Sequence, residues 1–222
     1  MGVIYMKILN FGSLNIDYVY SVDHFVQKGE TISSSQMNIF SGGKGLNQST
    51  ALGRAGAQVF HAGRIGKGGE FLVEQLKEAG VNTDLVVLDS QCSTGHAIIQ
   101  NDAEGDNCIL LYGGANQRIT KEQIDATLDQ FDAGDYLVLQ NETSNLPYLM
   151  EKAAEKQMKI VLNPSPMDEK IKALPLDKVT LFFVNEIEAA QILGQKELES
   201  TQEAAAAFEG GFHLLVFIAL IN

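Results

Sequence analysis

The chain has 222 residues, 45% of them hydrophobic, and a formal net charge of −12 at pH 7. This length suffices for one domain that buries roughly 70% of the surface of the unfolded chain, and the hydrophobic fraction excludes a disordered protein. The negative charge argues against nucleic acid as a partner, because binding to phosphate backbones requires clustered Lys and Arg. It does not exclude a small nucleotide neutralised by metal ions and backbone N–H groups.

The chain termini and the cysteines indicate a cellular compartment. Residues 1–6 lack the basic and long apolar regions of a signal peptide. The apolar run 214–221 has eight residues, whereas roughly 20 are needed to cross a bilayer. Cys92 and Cys108 show no metal-ligand spacing, and we interpret them as reduced thiols. We therefore expect a cytoplasmic protein without membrane association.

Strand-like and helix-like patterns alternate along the chain, which predicts a parallel sheet covered by helices. The predicted strands are 8–12, 59–66, 136–139, 160–162 and 181–184, and the predicted helices are 44–55, 70–79 and 146–157. Two stretches, 18–40 and 96–112, interrupt the alternation and are typical of hairpins and accessory strands. We expect a single α/β domain over residues 1–222.

Two polar residues follow the first predicted strand, which breaks at Gly12-Ser13. Asn15 and Asp17 are two apart, so in an extended segment they project from one face. A carboxylate that accepts two hydrogen bonds and an amide that donates and accepts match the vicinal hydroxyls of a sugar. The alternative is an Asx turn at the strand end.

A glycine cluster, Ser41-Gly42-Gly43-Lys44-Gly45-Leu46-Asn47-Gln48, opens the helix 44–55. Glycines allow close approach of a ligand to the backbone, and free N–H groups at a helix start favour anions or hydroxyl oxygens. The cluster is not a Walker A loop, because Gly45 stands where Ser or Thr is required. A turn without a ligand remains the alternative, and Lys44 can equally be a solvated surface lysine.

Further polar residues stand just past later strands, where ligands of open α/β sheets bind. Glu142 is one, with a surface carboxylate as its alternative interpretation. Asn185 and Glu188 are three apart and share one face of a helix start. The same spacing is typical of an N-cap with a capping box, and the two roles can coexist.

These residues belong to ordered blocks that resemble the PfkB carbohydrate kinase family, and within it the ribokinases. The blocks are 12–17, 42–48, 113–116, 140–142, 163–166 and 185–188. The resemblance extends from residue 6 to about residue 205. It implies a ribokinase-like, mostly parallel sheet with helices on both faces, and a small β lid at about 18–40 and 96–112. Because that lid pairs between subunits in ribokinases, the resemblance also implies a possible homodimer.

The resemblance implies transfer of the ATP γ-phosphoryl group to a sugar hydroxyl, for ribokinases the 5-hydroxyl of D-ribose. The implied sugar-binding residues are Asn15, Asp17, Gly42, Gly43, Lys44, Asn47 and Glu142. Asn185 and Glu188 are implied near the ATP phosphates, with Glu188 beside water on a magnesium ion. Another sugar kinase, a nucleoside kinase or a sugar-binding protein without catalysis remain open alternatives.

The sequence departs from the family pattern in its last part. The family's Asp-Thr-x-Gly-Ala-Gly-Asp block, which supplies the anion hole and the catalytic base, does not occur. We therefore expect a C-terminally truncated chain that is inactive as given, and no catalytic base is assigned. The apolar run 214–221 has high β propensity, and we expect it to pair as a strand beside Leu181–Val184.

Overall fold

The computed structural model describes residues 6–195 and the backbone of residues 215–218. The strands, numbered in chain order, are β1 (Ile8–Phe11), β2 (Asn15–Ser21), β3 (Gln36–Gly42), β4 (Val59–Lys67), β5 (Asn82–Ser93), β6 (Gly95–Asn101), β7 (Asn107–Tyr112), β8 (Tyr136–Gln140), β9 (Lys159–Asn163), β10 (Val179–Val184) and β11 (Leu215–Ile218). The α-helices are α1 (Lys44–Arg54), α2 (Glu70–Glu78), α3 (Lys121–Leu128), α4 (Leu146–Glu155) and α5 (Glu186–Leu193). Strand β5 and helix α3 were not predicted from the sequence, whereas each predicted element is present within a few residues of its expected bounds.

Within this part of the chain, seven strands form the main sheet in the order β11-β10-β9-β8-β1-β4-β5. Each neighbouring pair is parallel, as the alternation of strands and helices predicts. The predicted pairing of the apolar run is confirmed for its described residues, since β11 lies beside β10 with Leu181 opposite Leu215. The rest of that run lies outside the described residues, as do residues 1–5 and 196–213.

Helices cover both faces of the sheet, as the resemblance implies. Side chains of β1 alternate between the faces, so Leu9 and Phe11 pack with α3, α4 and α5 in one apolar cluster, while Asn10 faces α1. A second cluster on the α1 side contains Leu46 of α1 together with Leu72 and Leu76 of α2. None of the described helices is long and apolar enough to cross a lipid bilayer.

The other four strands form a second, smaller sheet in the order β3-β2-β6-β7. Strand β2 pairs antiparallel with β3 and parallel with β6, and β6 pairs antiparallel with β7. The two segments expected to form a lid lie in this sheet. Its first strand begins at Asn15, directly after the end of β1, so the small sheet grows out of the edge of the main sheet where parallel strands present their carboxyl ends.

A chain of buried polar side chains connects α1 to three strands of the main sheet. Asn10 Nδ2 donates to Ser49 Oγ at 2.9 Å and to the Gly45 carbonyl at 2.8 Å. Ser49 Oγ is hydrogen-bonded to His61 Nδ1 at 2.7 Å, and Gln140 Nε2 donates to Asn10 Oδ1 at 3.0 Å. The four side chains that form these bonds are fully buried. Buried hydrogen-bonded groups of this kind fix the position of a helix, because every broken bond leaves an unsatisfied group.

Burial lowers the pKa of His61 from 6.5 to about 4. The unfolded chain therefore binds this proton more readily than the folded chain, so the contribution to stability is complete above pH 6.5 and is lost as the pH falls towards 4. We expect this loss to reach about 3 kcal/mol. His61→Gln, which keeps a hydrogen-bonding group beside Ser49, should flatten the fall of the urea unfolding midpoint between pH 7 and pH 4.5.

The matched control for this prediction is His24→Gln. His24 is exposed and contacts Glu30 at 2.8 Å, so its replacement should leave most of the pH dependence in place. An equal pH dependence in the wild type and in His61→Gln would show that the buried imidazole does not control acid stability.

Candidate functional site

Two backbone segments meet where β1 ends and α1 begins. A Cβ atom on Gly12 would lie 2.6 Å from the Cα atom of Gly45. A Cβ atom on Gly45 would in turn overlap the backbone of Ser13. Glycine at both positions is therefore required, because no real side chain fits at such distances. This crossing brings the start of α1 directly beneath the break after β1.

Ser13 and Glu142 bind the first turn of α1. The Ser13 carbonyl accepts from Leu46 N at 3.0 Å, and Ser13 Oγ accepts from Gly45 N at 3.1 Å. The Ser13 hydroxyl donates to Glu142 Oε2, which also accepts from Lys44 N at 3.0 Å. The expectation of free N–H groups at this helix start is wrong, since the protein itself uses them. The carboxylate of Glu142 occupies the position that favours an anion at a helix N-terminus.

Asp17, Lys44 and Glu142 form the charged part of the cleft. Lys44 Nζ lies 3.2 Å from Glu142 Oε1, and the Glu142 side chain is only 7% exposed. The Asp17 carboxylate lies against Gly42, where a Cβ atom would overlap it. Burial raises the pKa of Asp17 above its ordinary value, the negative charge of Glu142 raises it further, and Lys44 lowers it. Lys44 therefore pairs directly with Glu142, while its charge also acts on Asp17.

The remaining predicted sugar residues lie around this charged group. Gly43 has φ of 96° and precedes α1, a conformation that side chains rarely adopt. Asn15 is buried, and its Oδ1 accepts from Asn116 Nδ2 at 2.8 Å. Asn47 lies one turn into α1 and, together with Lys44, lines the adjoining cavity. The structure therefore brings the predicted sugar residues to one edge of the main sheet.

A cavity of about 590 Å³ adjoins this edge. Its apolar floor comes from the side chains of β8, β9 and β10 that face α1, including Val138, Val161 and Phe183. Its polar lining is Lys44, Asn47, Gln48, Asn163, Ser165, Asn185 and Glu188. Lys44 and Asn47, from the predicted sugar site, thus line the same cavity as Asn185 and Glu188, which are predicted to lie near the phosphates.

Asn185 and Glu188 form the capping box that the spacing predicts. Asn185 Oδ1 accepts from Glu188 N at 2.8 Å, and Glu188 Oε2 accepts from Asn185 N at 3.1 Å. The Ser165 hydroxyl donates to the other oxygen, Glu188 Oε1. The cap is therefore confirmed, while the role of this pair towards phosphates or magnesium stays a prediction.

Three polar residues that the sequence did not single out hold the site together. Ser13 binds Glu142 and the start of α1, Asn116 binds Asn15, and Ser165 binds Glu188. Ser13 and Asn116 stand inside glycine-containing blocks. That position was the one available signal, because a small polar residue beside glycine is otherwise typical of a turn.

The donor set at the far end of the cavity is compatible with magnesium held mainly by substrate. Among residues 6–195, no group of three or more His, Cys, Asp or Glu side chains is arranged to bind a metal. Mg²⁺ commonly uses one or two carboxylates together with water and substrate phosphates. Glu188, with the oxygens of Asn185, Asn163 and Ser165 nearby on the cavity wall, fits this mode.

Comparison with known proteins gives consistent results. A family model described as pfkB family carbohydrate kinase matches residues 6–218. The ribokinase of Staphylococcus aureus (strain COL) is 34% identical over 199 residues, which cover 86% of this chain and 64% of that protein. The ribokinase of Haemophilus influenzae is 34% identical over 200 residues, covering 88% of this chain and 65% of that protein. The chain therefore spans about 64% of the length of such curated relatives.

Among solved structures, the ribokinase of Cryptococcus neoformans var. grubii serotype A in complex with ADP is similar in fold. It superposes with a TM-score of 0.81 at 30% identity, covering 97% of this chain and 73% of that chain. The similarity extends over both the main sheet and the smaller sheet, because nearly all of this chain is matched.

The electrostatics of the cleft can be tested through Asp17. We expect its carboxyl group to titrate above the ordinary range of aspartate, because burial and Glu142 disfavour the charged form. Lys44→Met should raise this pKa further and Glu142→Gln should lower it, as followed by ¹³C NMR of the carboxyl carbon. Lys159→Met, at the start of β9 and so at the opposite edge of the sheet, is the control. An unchanged Asp17 pKa in Lys44→Met would show that the two groups do not interact.

Proposed function

Because the chain belongs to the pfkB family of carbohydrate kinases, we propose that it serves ATP-dependent phosphorylation of a sugar, D-ribose at its 5-hydroxyl. The observation that carries this proposal is the convergence of Asp17, Lys44 and Glu142 beside a cavity that ends at Asn185 and Glu188. The ribokinase names of the similar curated proteins support ribose as the sugar.

The sugar side of the cleft is rich in groups that recognise hydroxyls. The Asp17 carboxylate accepts two hydrogen bonds from neighbouring hydroxyls of a sugar ring. Gly42 leaves room for the Asp17 carboxylate, which a Cβ atom there would overlap. Gly43 has the positive φ with which the backbone turns into α1 beside that carboxylate. Asn47 adds an amide group that donates and accepts, and Asn15 adds the N–H donors of its amide, because its oxygen accepts from Asn116. Glu142 contributes mainly by holding Lys44 and the start of α1, where its two oxygens already have partners.

The nucleotide side of the cavity is assigned to Asn185 and Glu188. Glu188 would help to hold a magnesium ion, with Asn185 beside it towards the phosphates of ATP. The bound magnesium ion would neutralise charge on the transferring phosphoryl group. Ser165 keeps the Glu188 carboxylate oriented by donating to one oxygen. No described residue is assigned as the general base, so the roles given to this chain are binding and orientation.

Calorimetry tests the sugar site. We expect the protein to bind D-ribose, and Asp17→Ala to weaken that binding by about 2 to 4 kcal/mol, because a pair of charge-assisted hydrogen bonds is lost. ATP affinity should stay unchanged. Asp129→Ala is the matched control, because this exposed carboxylate at the end of α3 contacts only Lys156, at 3.7 Å, among the described residues. Equal ribose affinity in the wild type and Asp17→Ala would remove Asp17 from the site.

A coupled assay for ADP release separates phosphoryl transfer from binding. Turnover that requires both ribose and ATP supports the kinase assignment. Ribose binding without turnover, in the same protein preparation, is the outcome expected of a chain that lacks the catalytic block, and it leaves this chain the role of binding the sugar. Turnover with a nucleoside and none with ribose would favour the nucleoside kinase alternative.

The lid is proposed as the surface through which two copies of the chain associate. Its strands expose several large apolar side chains, and β3 and β7 are the edges of the small sheet. These side chains are Met37, Ile39, Phe40, Ile98, Ile109, Leu110, Leu111 and Tyr112. Exposed apolar side chains on open sheet edges favour association with another surface.

Leu110→Glu tests this surface. Leu110 is 68% exposed on β7, so a charge there leaves the folded monomer unaffected but opposes burial against a partner. Light scattering at tens of micromolar, where such edges associate, should show a dimer for the wild type and a monomer for the variant. Glu104→Gln, in the turn between β6 and β7, is the control and should remain dimeric. A wild-type monomer would contradict the proposal.

A further inference from the structure

Asn116 lies on the 3₁₀ turn Gly114–Arg118 and is 1% exposed. Its side chain binds both backbone groups of Leu14, since Leu14 N donates to Asn116 Oδ1 at 3.0 Å and Asn116 Nδ2 donates to the Leu14 carbonyl at 3.2 Å. A backbone N–H can only meet the amide oxygen, and a carbonyl can only meet the amide nitrogen. The two bonds therefore determine which end of the Asn116 amide is which.

This orientation determines the orientation of Asn15. The Asn116 amide nitrogen also donates to Asn15 Oδ1 at 2.8 Å. Asn15 Oδ1 thereby accepts a hydrogen bond from within the protein, while Asn15 Nδ2 has no hydrogen-bond partner among residues 6–195. The pair needs Gly95 beside it, because a Cβ atom there would overlap both Asn116 Nδ2 and Asn15 Oδ1. Three separate segments thus enforce one arrangement of the two amides.

The same turn also reaches the charged part of the cleft. Gln117 Nε2 donates to the Glu142 carbonyl at 2.8 Å, and Ser144 N donates to the Asn116 carbonyl at 3.1 Å. The turn therefore connects the segment that carries Asn15 to the segment that carries Glu142. Asn116 and Gln117 of this turn thus bind residues on two sides of the cleft, Asn15 and Glu142.

We propose that Asn116 is a positioning residue that keeps the amide Nδ2 of Asn15 directed at the sugar, an inference that rests on the proposed function. Asn15 then donates to the oxygen of one hydroxyl, while Asp17, two residues along the same face of β2, accepts from a neighbouring hydroxyl. The donor next to the acceptor matches a vicinal diol, whose hydroxyls each donate and accept. Asn116 thereby sets the hydrogen-bond polarity of the site without touching the sugar.

The test compares D-ribose with its monodeoxy analogues, each lacking one hydroxyl, by calorimetry. In the wild type, the analogue that lacks the hydroxyl bound by Asn15 should bind roughly tenfold more weakly than ribose. In Asn116→Ala, ribose should weaken by about the same factor while that analogue changes little, because the lost bond no longer exists for it. The ratio of the two affinities should therefore approach one.

A second variant and a control protect the test against simple unfolding. Asn15→Asp keeps an oxygen for Asn116 but presents an acceptor instead of N–H donors, so it should lose the same discrimination. Asn145→Gly removes the bond from Asn145 Nδ2 to the Ile119 carbonyl, near the same turn, and suits the positive φ of 60° at that position. It should lower the unfolding midpoint without changing the ribose-to-analogue ratio.

The outcomes separate the two proposals. Weaker binding of all sugars by one common factor in Asn116→Ala, or unchanged discrimination in both variants, would overturn the positioning role while ribose binding itself stands. An Asn116→Ala protein that fails to fold leaves the decision to Asn15→Asp. If the wild type binds no sugar, the proposed function fails, and the positioning role fails with it.

Discussion

Two backbone segments cross without side chains between them where Gly12, after β1, lies against Gly45 in the first turn of α1. This contact places Ser13 over the start of the helix, so that its carbonyl and hydroxyl take two N–H groups of the first turn. Glu142 takes a third, from Lys44. The positions of Lys44 and Glu142 both follow from how closely the two glycines approach. Any side chain at either glycine would separate the segments that form the cleft.

The cleft is organised at the expense of electrostatic stability. Glu142 is stabilised by the helix start and by Lys44, but Asp17 is left half-buried with a second carboxylate nearby and a raised pKa. A group whose pKa is raised in this way disfavours the folded, unliganded protein at neutral pH. Hydroxyl donors from a sugar would offset this cost. A bound sugar would therefore supply the hydrogen bonds that the Asp17 carboxylate lacks in the unliganded protein.

The sequence predicts the sheet and the edge where the site forms, because alternating strands and helices imply parallel strands whose carboxyl ends meet. That rule brings Asp17, Lys44 and Glu142 together correctly. It could not identify Asn116, which is 102 residues from Leu14 along the chain, since no local pattern records a contact of such range. The buried bond between Ser49 and His61 joins residues only 12 apart, and it is hidden because it depends on how α1 packs against β4. Nor could it reveal that Ser13 and Glu142 accept from the first N–H groups of α1, because these bonds depend on the close approach at Gly45.

The apolar floor of the cavity follows from the same sheet. Parallel strands require cover on both faces. In residues 6–195, α3, α4 and α5 cover one face, and on the other α1 and α2 lie over β1, β4 and β5. Over β8 to β10 that second face lines the cavity with Val138, Val161 and Phe183. A ligand in this cavity is held by the burial of apolar surface, and such burial discriminates weakly between apolar groups. Chemical specificity must therefore come from the polar rim, where the amides and carboxylates are oriented by hydrogen-bond partners such as the buried Asn116 and the partly buried Ser165.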